Sequence, residues 1–432
     1  MANIRDPRTR RFREYVERLT VAVGHADRHA PMRAYLTGLC LPGERKSIEP
    51  MAARVDPRHV RARHQSMHHF VANAPWEAAA VLRVARDWVR APMAHHGPVA
   101  AWIVDDTAFP KKGRHSVGVA RQYCGVLGKQ ENCQVAVSVS VANEAVSVPV
   151  AYRLYLPESW ARDRRRRRAA GVPANLEFQP KWQIALVQIR ALQADGLPRV
   201  PVVADAGYGD TTEFRDALTT AGIPYVVGVK GDTTVWRPGQ APLPPKSGRG
   251  GRGRPAIRVR RTPSHRPVSL KILAAELPAA AWHAVTWREG TRGAMRSRFA
   301  RVRVRPAHRD QQRSEPRPEE GLLIEWPRGE PEPTKYWLAT LPETMPIPEL
   351  VRLAKLRWRI ERDYQELKDE LGLDHFEGRG WRGFHHHGAL CIAAYAFLAA
   401  ERGALSPPEP LAFLRPARLP KGFTPRGAPG AA

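Results

Sequence analysis

The spacing of apolar residues changes near residue 98, and this change restricts the possible folds more than any other feature. Before it, apolar residues recur at helix spacing in four segments, Phe12–Val23, Met32–Cys40, His59–Ala72 and Trp76–Val89. After it, the pattern is that of strands. The clearest strand is Cys133–Val141, where Val recurs at every second position from 135 onwards. We therefore expect a helical N-terminal region followed by a core built on a sheet.

The order of the predicted elements after residue 98 indicates a mixed α/β sheet. Strands are predicted at 101–104, 117–123, 133–141, 200–204 and 225–229. Helices are predicted at about 181–195 and 211–221, between the last three of these strands. Three strands followed by helix, strand, helix and strand is the order of a mixed sheet rather than a doubly wound one. The strand Tyr336–Leu341 then returns to the core, and an apolar helix follows at Ala389–Ala400.

Pattern and composition together divide the chain into five regions. They are a helical region at 1–95, a first part of the core at 96–235, a basic β-rich insertion at 236–335, a second part of the core at 336–402 and a Pro/Arg-rich tail at 403–432. The helical region is either a packing domain with an ordinary charged surface or a domain that binds DNA ends, and the second is favoured. The insertion opens with a Gly/Arg tract, Ser247–Pro255, that is too flexible for a regular element.

Charge is the strongest signal in the composition. The chain has 69 Lys and Arg against 42 Asp and Glu, a formal net charge of +27. Residues 236–318 hold 20 Lys and Arg against 4 Asp and Glu, and so supply +16 of it. Alternation places Arg301, Arg303 and Arg305 on one face of a strand, where they could follow a phosphate backbone. A merely solvated sheet face would more usually mix both signs, so DNA is the favoured partner.

Several other classes of protein are disfavoured. The chain has no apolar stretch of about 18 residues and no secretory signal, so a membrane protein is disfavoured and a cytoplasmic location is expected. The four cysteines lack the Cys-x-x-Cys spacing of a zinc site. The run His385-His386-His387 is interpreted as a loop facing solvent or DNA, because three consecutive side chains on an irregular segment rarely converge on a metal. An RNA-binding protein is disfavoured because the chain lacks RNA-recognition motifs.

Two aspartates stand where a carboxylate needs a partner. Asp105 ends the apolar run Ala101–Val104, and Asp205 ends the apolar run Val200–Ala204. A carboxylate at the end of a core strand is costly to desolvate unless it is paired or binds a cation. A single aspartate in such a place is most often a helix cap or a turn residue. Two on neighbouring strands can instead form part of an oxygen-rich site for Mg²⁺.

A third acid, Glu361, lies in the predicted helix Leu353–Lys368. At 100° per residue, Arg357, Glu361, Tyr364 and Lys368 fall within a stripe about 60° wide, beside an apolar stripe that should pack on the sheet. The polar stripe should therefore lie over one end of the sheet. The plainer interpretation is an Arg357–Glu361 pair on a solvated helix, worth a few tenths of a kcal/mol.

This helix resembles the signature of a known family. The spacing Arg357-x3-Glu361-x6-Lys368 matches the R-E-K part of the Y-R-E-K signature of bacterial insertion-sequence transposases with a DDE triad, and Leu371-Gly372-Leu373 strengthens the match. Ala354 stands where the signature has its Tyr, so a role of that Tyr in contacts with DNA ends is not carried over.

Other segments extend the resemblance over roughly residues 30 to 400. Asp105-Asp106-Thr107 looks like the first acidic motif of the family, and Asp205–Gly209 looks like the second. The first acid is either Asp105 or Asp106, and the Asp-x-Thr pattern favours Asp105. Three further blocks resemble the branch typified by insertion sequence 701, namely Arg45–Pro50, Gly118–Tyr123 and Gly128–Val135.

The resemblance implies a ribonuclease-H-like core and a Mg²⁺-dependent transposase. Asp105, Asp205 and Glu361 would hold two Mg²⁺ ions, for which Mn²⁺ would substitute, to cut the ends of an insertion sequence and join the 3′-OH to target DNA. Arg357 and Lys368 would grip phosphates near the scissile bond, with Tyr364 beside them. The partners would be double-stranded DNA, both terminal inverted repeats and target, and further copies of the chain, in the nucleoid.

The alternative function is a non-catalytic DNA-binding repressor derived from a transposase. Ala354 leaves room for this interpretation. The intact acids at all three positions argue against it.

Overall fold

A computed structural model describes residues 6–246, 256–290 and 293–405 of the protein. The predicted Gly/Arg tract and most of the predicted C-terminal tail lie outside these residues. None of the helices within these ranges is long and apolar enough to cross a membrane.

Helices fill the described part of the N-terminal region, as the spacing of its apolar residues predicts. They are α1 (Pro7–Val23), α2 (His29–Cys40), α3 (Ile48–Val55), α4 (Val60–Ala72) and α5 (Ala78–Ala94). Helix α1 begins where the Asp6 carboxylate accepts hydrogen bonds from the backbone N–H groups of Arg8 and Thr9. Apolar residues of these helices, such as Tyr15, belong to the same hydrophobic core as the first strands of the sheet.

The first part of the core contains the following elements in chain order. They are β1 (Ala101–Pro110), β2 (Ala120–Cys124), β3 (Lys129–Ala142), β4 (Ser147–Leu154), α6 (Glu158–Ala161), α7 (Arg164–Ala169), α8 (Lys181–Ala194), β5 (Val202–Ala204), α9 (Ala206–Gly209), α10 (Thr212–Thr220) and β6 (Tyr225–Val229).

The rest of the described chain adds six strands, with the short helix α11 among them, and then three helices. The elements are β7 (Thr234–Trp236), β8 (Val268–Ser269), α11 (Leu270–Ala275), β9 (Trp282–Gly290), β10 (Gly293–Pro306), β11 (Glu320–Trp326), β12 (Lys335–Ala339), α12 (Ile347–Lys355), α13 (Trp358–Asp369) and α14 (Trp381–Leu405). Strand β12 pairs antiparallel with β6. The strands of the insertion therefore continue the core sheet, which reaches twelve strands among the described residues.

The centre of the sheet has a recognisable topology. Strands β4, β3 and β1 pair antiparallel, and β5 and β6 continue from β1 in parallel. Helix α8 packs against β3, and α14 packs against β4. Three antiparallel strands followed by two parallel ones, flanked by helices, form a ribonuclease-H-like fold. The predicted fold class is thereby confirmed.

Strand β4 is missing from the predicted elements, yet it is the third antiparallel strand of this centre. The sequence pattern fails here because Pro149 lacks an N–H donor and so argues against a strand. In the structure β4 lies at a sheet edge, and its pairing with β3 becomes irregular next to the Ser140–Pro149 pair. Edges and bulges are the two settings in which a strand tolerates proline. The predicted strand 117–123 is the shorter β2, which lies at the end of the sheet.

The predicted helix Leu353–Lys368 is two helices, so this part of the prediction is wrong. Leu356 and Arg357 separate α12 from α13. The Leu356 N–H donates to the carbonyl of Leu353 at 3.1 Å, which is the i to i+3 pattern of a tighter turn. This turn places Arg357 directly before the first residue of α13.

The prediction that His385, His386 and His387 lie in an exposed loop is also wrong. All three belong to α14, with His386 and His387 buried. His385 Nε2 accepts a hydrogen bond from the backbone N–H of Leu154 at 3.2 Å. His387 Nδ1 accepts one from the Tyr35 hydroxyl at 2.8 Å. The three side chains do not converge because successive residues of a helix point in different directions, and they join α14 to β4 and α2.

We predict that the histidines of α14 make stability depend on pH. Burial lowers the pKa of His385 and of His387 to about 4, below the unfolded value of about 6.5. The unfolded chain therefore takes up protons first, and the free energy of unfolding should fall as pH decreases from about 6.5 towards 4. Urea unfolding at a series of pH values measures this. The variant His387→Phe should be less stable at pH 7 and should lose part of the pH dependence.

The control is His68→Phe, because His68 is exposed on α4. This control should keep the wild-type pH dependence. A pH dependence in His387→Phe as steep as that of the wild-type protein would contradict the prediction.

Candidate active site

The pairing of β1 with β5 brings Asp105 and Asp205 side by side. The two strands run parallel, and the last pair in their register is Val104 with Ala204. Asp105 and Asp205 directly follow these two paired residues. Their Cα atoms therefore lie roughly 5 Å apart on adjacent segments of the backbone. The prediction that Asp105 ends its strand is wrong, because β1 continues to Pro110 along β3. The strand that ends at this level is β5.

Asp205 is held by the short helix that follows it. Its Oδ1 accepts a hydrogen bond from the backbone N–H of Gly207 at 2.9 Å, so Asp205 also serves as the N-cap of α9. Helix α9 approaches β6 closely at Gly209, where an added Cβ would lie 1.9 Å from the carbonyl oxygen of Gly228. Glycine at 209 is therefore required for the turn that fixes Asp205.

The pleat of β1 separates Asp105 from Asp106. Asp105 Oδ2 lies 2.6 Å from Nη1 of Arg357, the residue directly before α13. Asp106 Oδ2 lies 2.8 Å from Lys181 Nζ at the start of α8. Successive side chains of a strand point to opposite faces, so only Asp105 faces the helix that carries Glu361. This geometry favours Asp105 over Asp106 as the first acid of the site.

Arg357 links two of the three predicted acids. Its Nη1 binds Asp105, and its Nη2 lies 2.8 Å from Glu361 Oε1. The Asp105 side chain is 15% exposed, whereas that of Glu361 is 60% exposed. Burial raises the pKa of Asp105 to about 7; Arg357 opposes this rise, and Asp205 adds to it. Asp105 and Glu361 thus meet through a guanidinium group rather than directly.

Helix α13 is fixed over β1 by a buried carboxylate on its other side. Asp363 accepts hydrogen bonds from the Ser147 hydroxyl of β4 and from the Tyr395 hydroxyl of α14, the latter at 2.9 Å. Burial raises the pKa of Asp363 to about 7, and the two hydroxyl groups oppose this rise. These bonds set the rotation of α13 about its axis. Arg357 and Glu361 are thereby turned towards Asp105 on β1.

The predicted polar stripe of α13 faces β1. Lys368 Nζ donates to the carbonyl of Ala108 at 3.1 Å and lies 5.3 Å from the centre of the Phe109 ring. Burial lowers the pKa of Lys368. Tyr364 is only 5% exposed, and burial raises the pKa of its hydroxyl, with Asp105 adding to the effect. The structure therefore brings both side chains to the strand of Asp105, but Tyr364 lies inside the core and offers no surface to DNA.

Two side chains near the acids are missing from the sequence-based prediction. Lys181 pairs with Asp106, and the signal that could have found it is its place at the first turn of a helix beside the sheet. Tyr208 is buried on α9, and burial raises the pKa of its hydroxyl, with Asp106 and Asp105 adding to the effect. Only its position three residues after Asp205 signals this, because an apolar core could use the same tyrosine.

The predicted arginine stripe alternates as expected but is bound to the protein itself. Arg301 donates to the carbonyl of Met345 at 2.6 Å, and Arg303 donates to the carbonyl of Glu319 at 2.9 Å. Arg305 donates to the carbonyl of Arg317. The structure gives none of the three a bond to an acid of the candidate site. Their guanidinium groups brace β10 against neighbouring loops.

The three predicted acids differ in how well they fit a divalent cation. Within the described residues, no three Asp, Glu, His or Cys side chains lie close enough together to hold a metal ion. The donor type fits, since carboxylate oxygens are what Mg²⁺ and Mn²⁺ prefer. Asp105 and Asp205 are adjacent, while Glu361 is exposed and held by Arg357.

Two comparisons with known proteins bear on this site. Residues 18–294 match the profile of a family described as DDE superfamily endonuclease. The chain is also 31% identical over 172 residues to the probable transposase for insertion sequence element IS701 of Microchaete diplosiphon, a segment that makes up 40% of this chain and 42% of that protein. The chain thus aligns with less than half the length of this curated relative. The family match ends before α13, so the case for Glu361 depends on its own spacing and geometry.

We predict that Arg357 stabilises the fold by compensating Asp105. Arg357→Gln leaves two adjacent carboxylates without their cation and should lower the free energy of unfolding by about 1–3 kcal/mol. In an Asp105→Asn background the same change should cost less, giving a coupling of about 1–2 kcal/mol in a double-mutant cycle. Urea unfolding at pH 8 and low salt measures all four proteins.

The matched control is the exposed Glu14–Arg18 pair of α1, whose atoms lie 2.7 Å apart. An exposed i,i+4 pair should couple by only a few tenths of a kcal/mol. Equal coupling in the two cycles would contradict a special role for Arg357.

Proposed function

This chain belongs to the DDE superfamily of endonucleases, and from that membership we propose that it is a DNA transposase. Its substrates would be the ends of an insertion sequence, which it cuts, and target DNA, to which it joins the freed 3′-OH. One observation carries the proposal: the β1–β5 register places Asp105 beside Asp205, directly under the arginine that holds Glu361. The likeness to a probable insertion-sequence transposase supports the same function.

Asp105, Asp205 and Glu361 would hold two divalent cations. When bound, such a pair of ions activates a water molecule and stabilises the leaving 3′ oxygen of a phosphodiester. Mg²⁺ is the proposed ion, with Mn²⁺ as a substitute, because the three donors are all carboxylates.

Arg357 would exchange its partners when DNA enters the site. Its two N–H groups now bind carboxylate oxygens of Asp105 and Glu361, and phosphate oxygens fit the same fork. Release would cost little on the side of Glu361, because this carboxylate is largely exposed to water. Arg357 would then hold a phosphate near the scissile bond, and Glu361 would be free to turn towards Asp105. Lys368 would add positive charge along β1.

DNA would also bind along the insertion. The residues 236–318 supply +16 of the net charge of +27. Arg296 is exposed on β10, whereas Arg301 and Arg303 on the same strand are bound to protein carbonyls. We therefore propose that exposed arginines such as Arg296 contact phosphates and that the braced ones shape the surface. Assembly of two or more copies on DNA is part of the same proposal.

Replacing single acids tests the catalytic assignment. Asp105→Asn, Asp205→Asn and Glu361→Gln should each lower Mg²⁺-dependent cleavage of the element's terminal repeats by at least about a hundredfold, while DNA binding is kept. Asp106→Asn is the matched control, because Asp106 faces Lys181 on the other side of β1. It should keep cleavage within about tenfold of the wild-type rate.

Two results would count against this assignment. Full cleavage by Glu361→Gln would remove Glu361 from the site. A wild-type protein that binds the repeats tightly but never cuts them, with Mg²⁺ or Mn²⁺, would be the non-catalytic repressor instead.

The salt dependence of DNA binding tests the role of the insertion. Each phosphate contact contributes about 0.9 to the slope of log K against log salt concentration. Arg296→Gln should therefore reduce this slope by nearly that amount, measured by fluorescence anisotropy with a terminal-repeat duplex. Arg303→Gln should leave the slope unchanged and should lower thermal stability, because its side chain braces β10. The reverse pattern would assign the DNA contact to the original arginine stripe.

A further inference from the structure

A cavity of about 530 Å³ lies beside the edge strand β4. Its walls come from α5, β4, α8 and the first turns of α14, and none of the acids Asp105, Asp205 and Glu361 lines it. Ligand sites usually enclose about 300–1,000 Å³. The cavity is therefore large enough for a small molecule of roughly nucleotide size, and the active-site chemistry described above makes no use of it.

The lining of the cavity carries an unbalanced positive charge. Arg153 on β4 is half-buried, and burial lowers its pKa. Its guanidinium has no hydrogen-bond or ion-pair partner within the described part of the chain, whereas that of Arg86, which also lines the cavity, binds Asp195 at 2.7 Å. Arg83 and Arg382 are further cations in the lining, which also contains the acids Glu77 and Asp195. A partly desolvated guanidinium without a carboxylate is stabilised by an anion from outside.

The lining of the cavity also contains a buried hydrogen-bond acceptor. Gln188 on α8 lines the cavity and is only 7% exposed. Its Nε2 donates to the carbonyl of Val137 at 3.1 Å, which leaves its Oε1 buried with no hydrogen-bond partner among the described residues. An unpaired buried acceptor carries a free-energy cost. A ligand that donates an N–H to Gln188 Oε1, after a rotation of the side chain that brings this atom to the cavity surface, would recover that cost.

Much of the remaining lining is apolar. It is formed by aromatic and aliphatic side chains, namely Tyr152, Trp381, Val150, Val187 and Leu192. A planar ring system packs well against such a surface. The cavity thus combines a cation, a buried acceptor and an apolar wall.

We infer that this cavity binds a nucleoside phosphate. Its phosphate would lie at Arg153 and Arg83, and its base would lie against the apolar wall with an N–H directed at Gln188 Oε1. Two sources carry this chemistry, a free nucleotide and an unpaired nucleotide of a DNA strand. Arg153 pairs in register with Val137, which pairs with Asp106, so the cation lies two strands, roughly 10 Å, from β1.

Calorimetric titration of the full-length protein with deoxyadenosine monophosphate tests the inference. A chelator and salt at about 0.3 M remove metal binding and weaken contacts with the basic surface. We expect the nucleotide to bind at least tenfold tighter than deoxyadenosine or inorganic phosphate. Arg153→Gln and Gln188→Leu should each weaken it at least tenfold, and Arg153→Lys should recover part of the loss.

The matched control is Arg90→Gln, because Arg90 is exposed on α5 and does not line the cavity. It should bind the nucleotide as the wild-type protein does. Circular dichroism would verify that the variants keep their fold. Equal affinity for the nucleotide and inorganic phosphate, or an unchanged affinity in Arg153→Gln, would overturn the inference.

Competition separates the two sources. If a short single-stranded oligonucleotide displaces labelled nucleotide at least tenfold better than free nucleotide does, and Arg153→Gln abolishes the displacement, the ligand is part of a DNA strand. Equal displacement identifies the free nucleotide. The assay involves no strand cleavage, so its failure would leave the proposed transposase activity standing, and failure of cleavage would leave this site standing.

Discussion

Two carboxylates on adjacent strands are the constraint on which the site depends. Unit charges about 5 Å apart repel by roughly 3 kcal/mol at an effective dielectric constant near 20. The parallel register of β1 and β5 fixes the distance between Asp105 and Asp205, because each directly follows a residue of the last pair in that register. The protein offsets this repulsion with the guanidinium of Arg357, and burial raises the pKa of Asp105. A fold that places two acids in this way requires a positive charge beside them.

How much of this could be predicted from sequence depends on whether each signal is local. Asp105 and Asp205 are visible because an apolar run precedes each of them, and Val at alternate positions reveals β3. Strand β4 is not visible, because Pro149 contradicts it and only an edge position beside a bulge makes that proline acceptable. That tolerance comes from the neighbouring strand, which a local pattern does not contain.

The histidines and the helix break fail for the same reason. His385 and His387 are polar by residue type, yet His387 is buried and His385 is half-buried, because Tyr35 and Leu154 supply partners that are distant in sequence. The apolar spacing continues without interruption through the turn at Leu356, so the 3.6-residue period predicts one helix. Glu361 and Lys368 still lie on one stripe despite the break, because both belong to α13. The bond of Arg357 to Asp105 depends on the turn at Leu356, and the spacing of apolar residues does not reveal that turn.

The turn also connects the candidate site to the basic insertion. Lys355, the last residue of α12, pairs with Glu325 of β11, and its Nζ lies 4.6 Å from the ring centre of Trp287 on β9. Three residues later, Trp358 stacks under the guanidinium of Arg288, also on β9, at 4.0 Å. The residues on both sides of the turn are thus attached to the insertion.

Arg357 lies between these two attachment points. The position of Arg357 is therefore set by the insertion as well as by α13. The compensation of Asp105 by Arg357 depends on the same contacts. Because β12 pairs with β6, the described strands of the insertion and the core strands form one continuous sheet. The described strands of the insertion and the arginine that balances Asp105 therefore belong to one connected set of contacts.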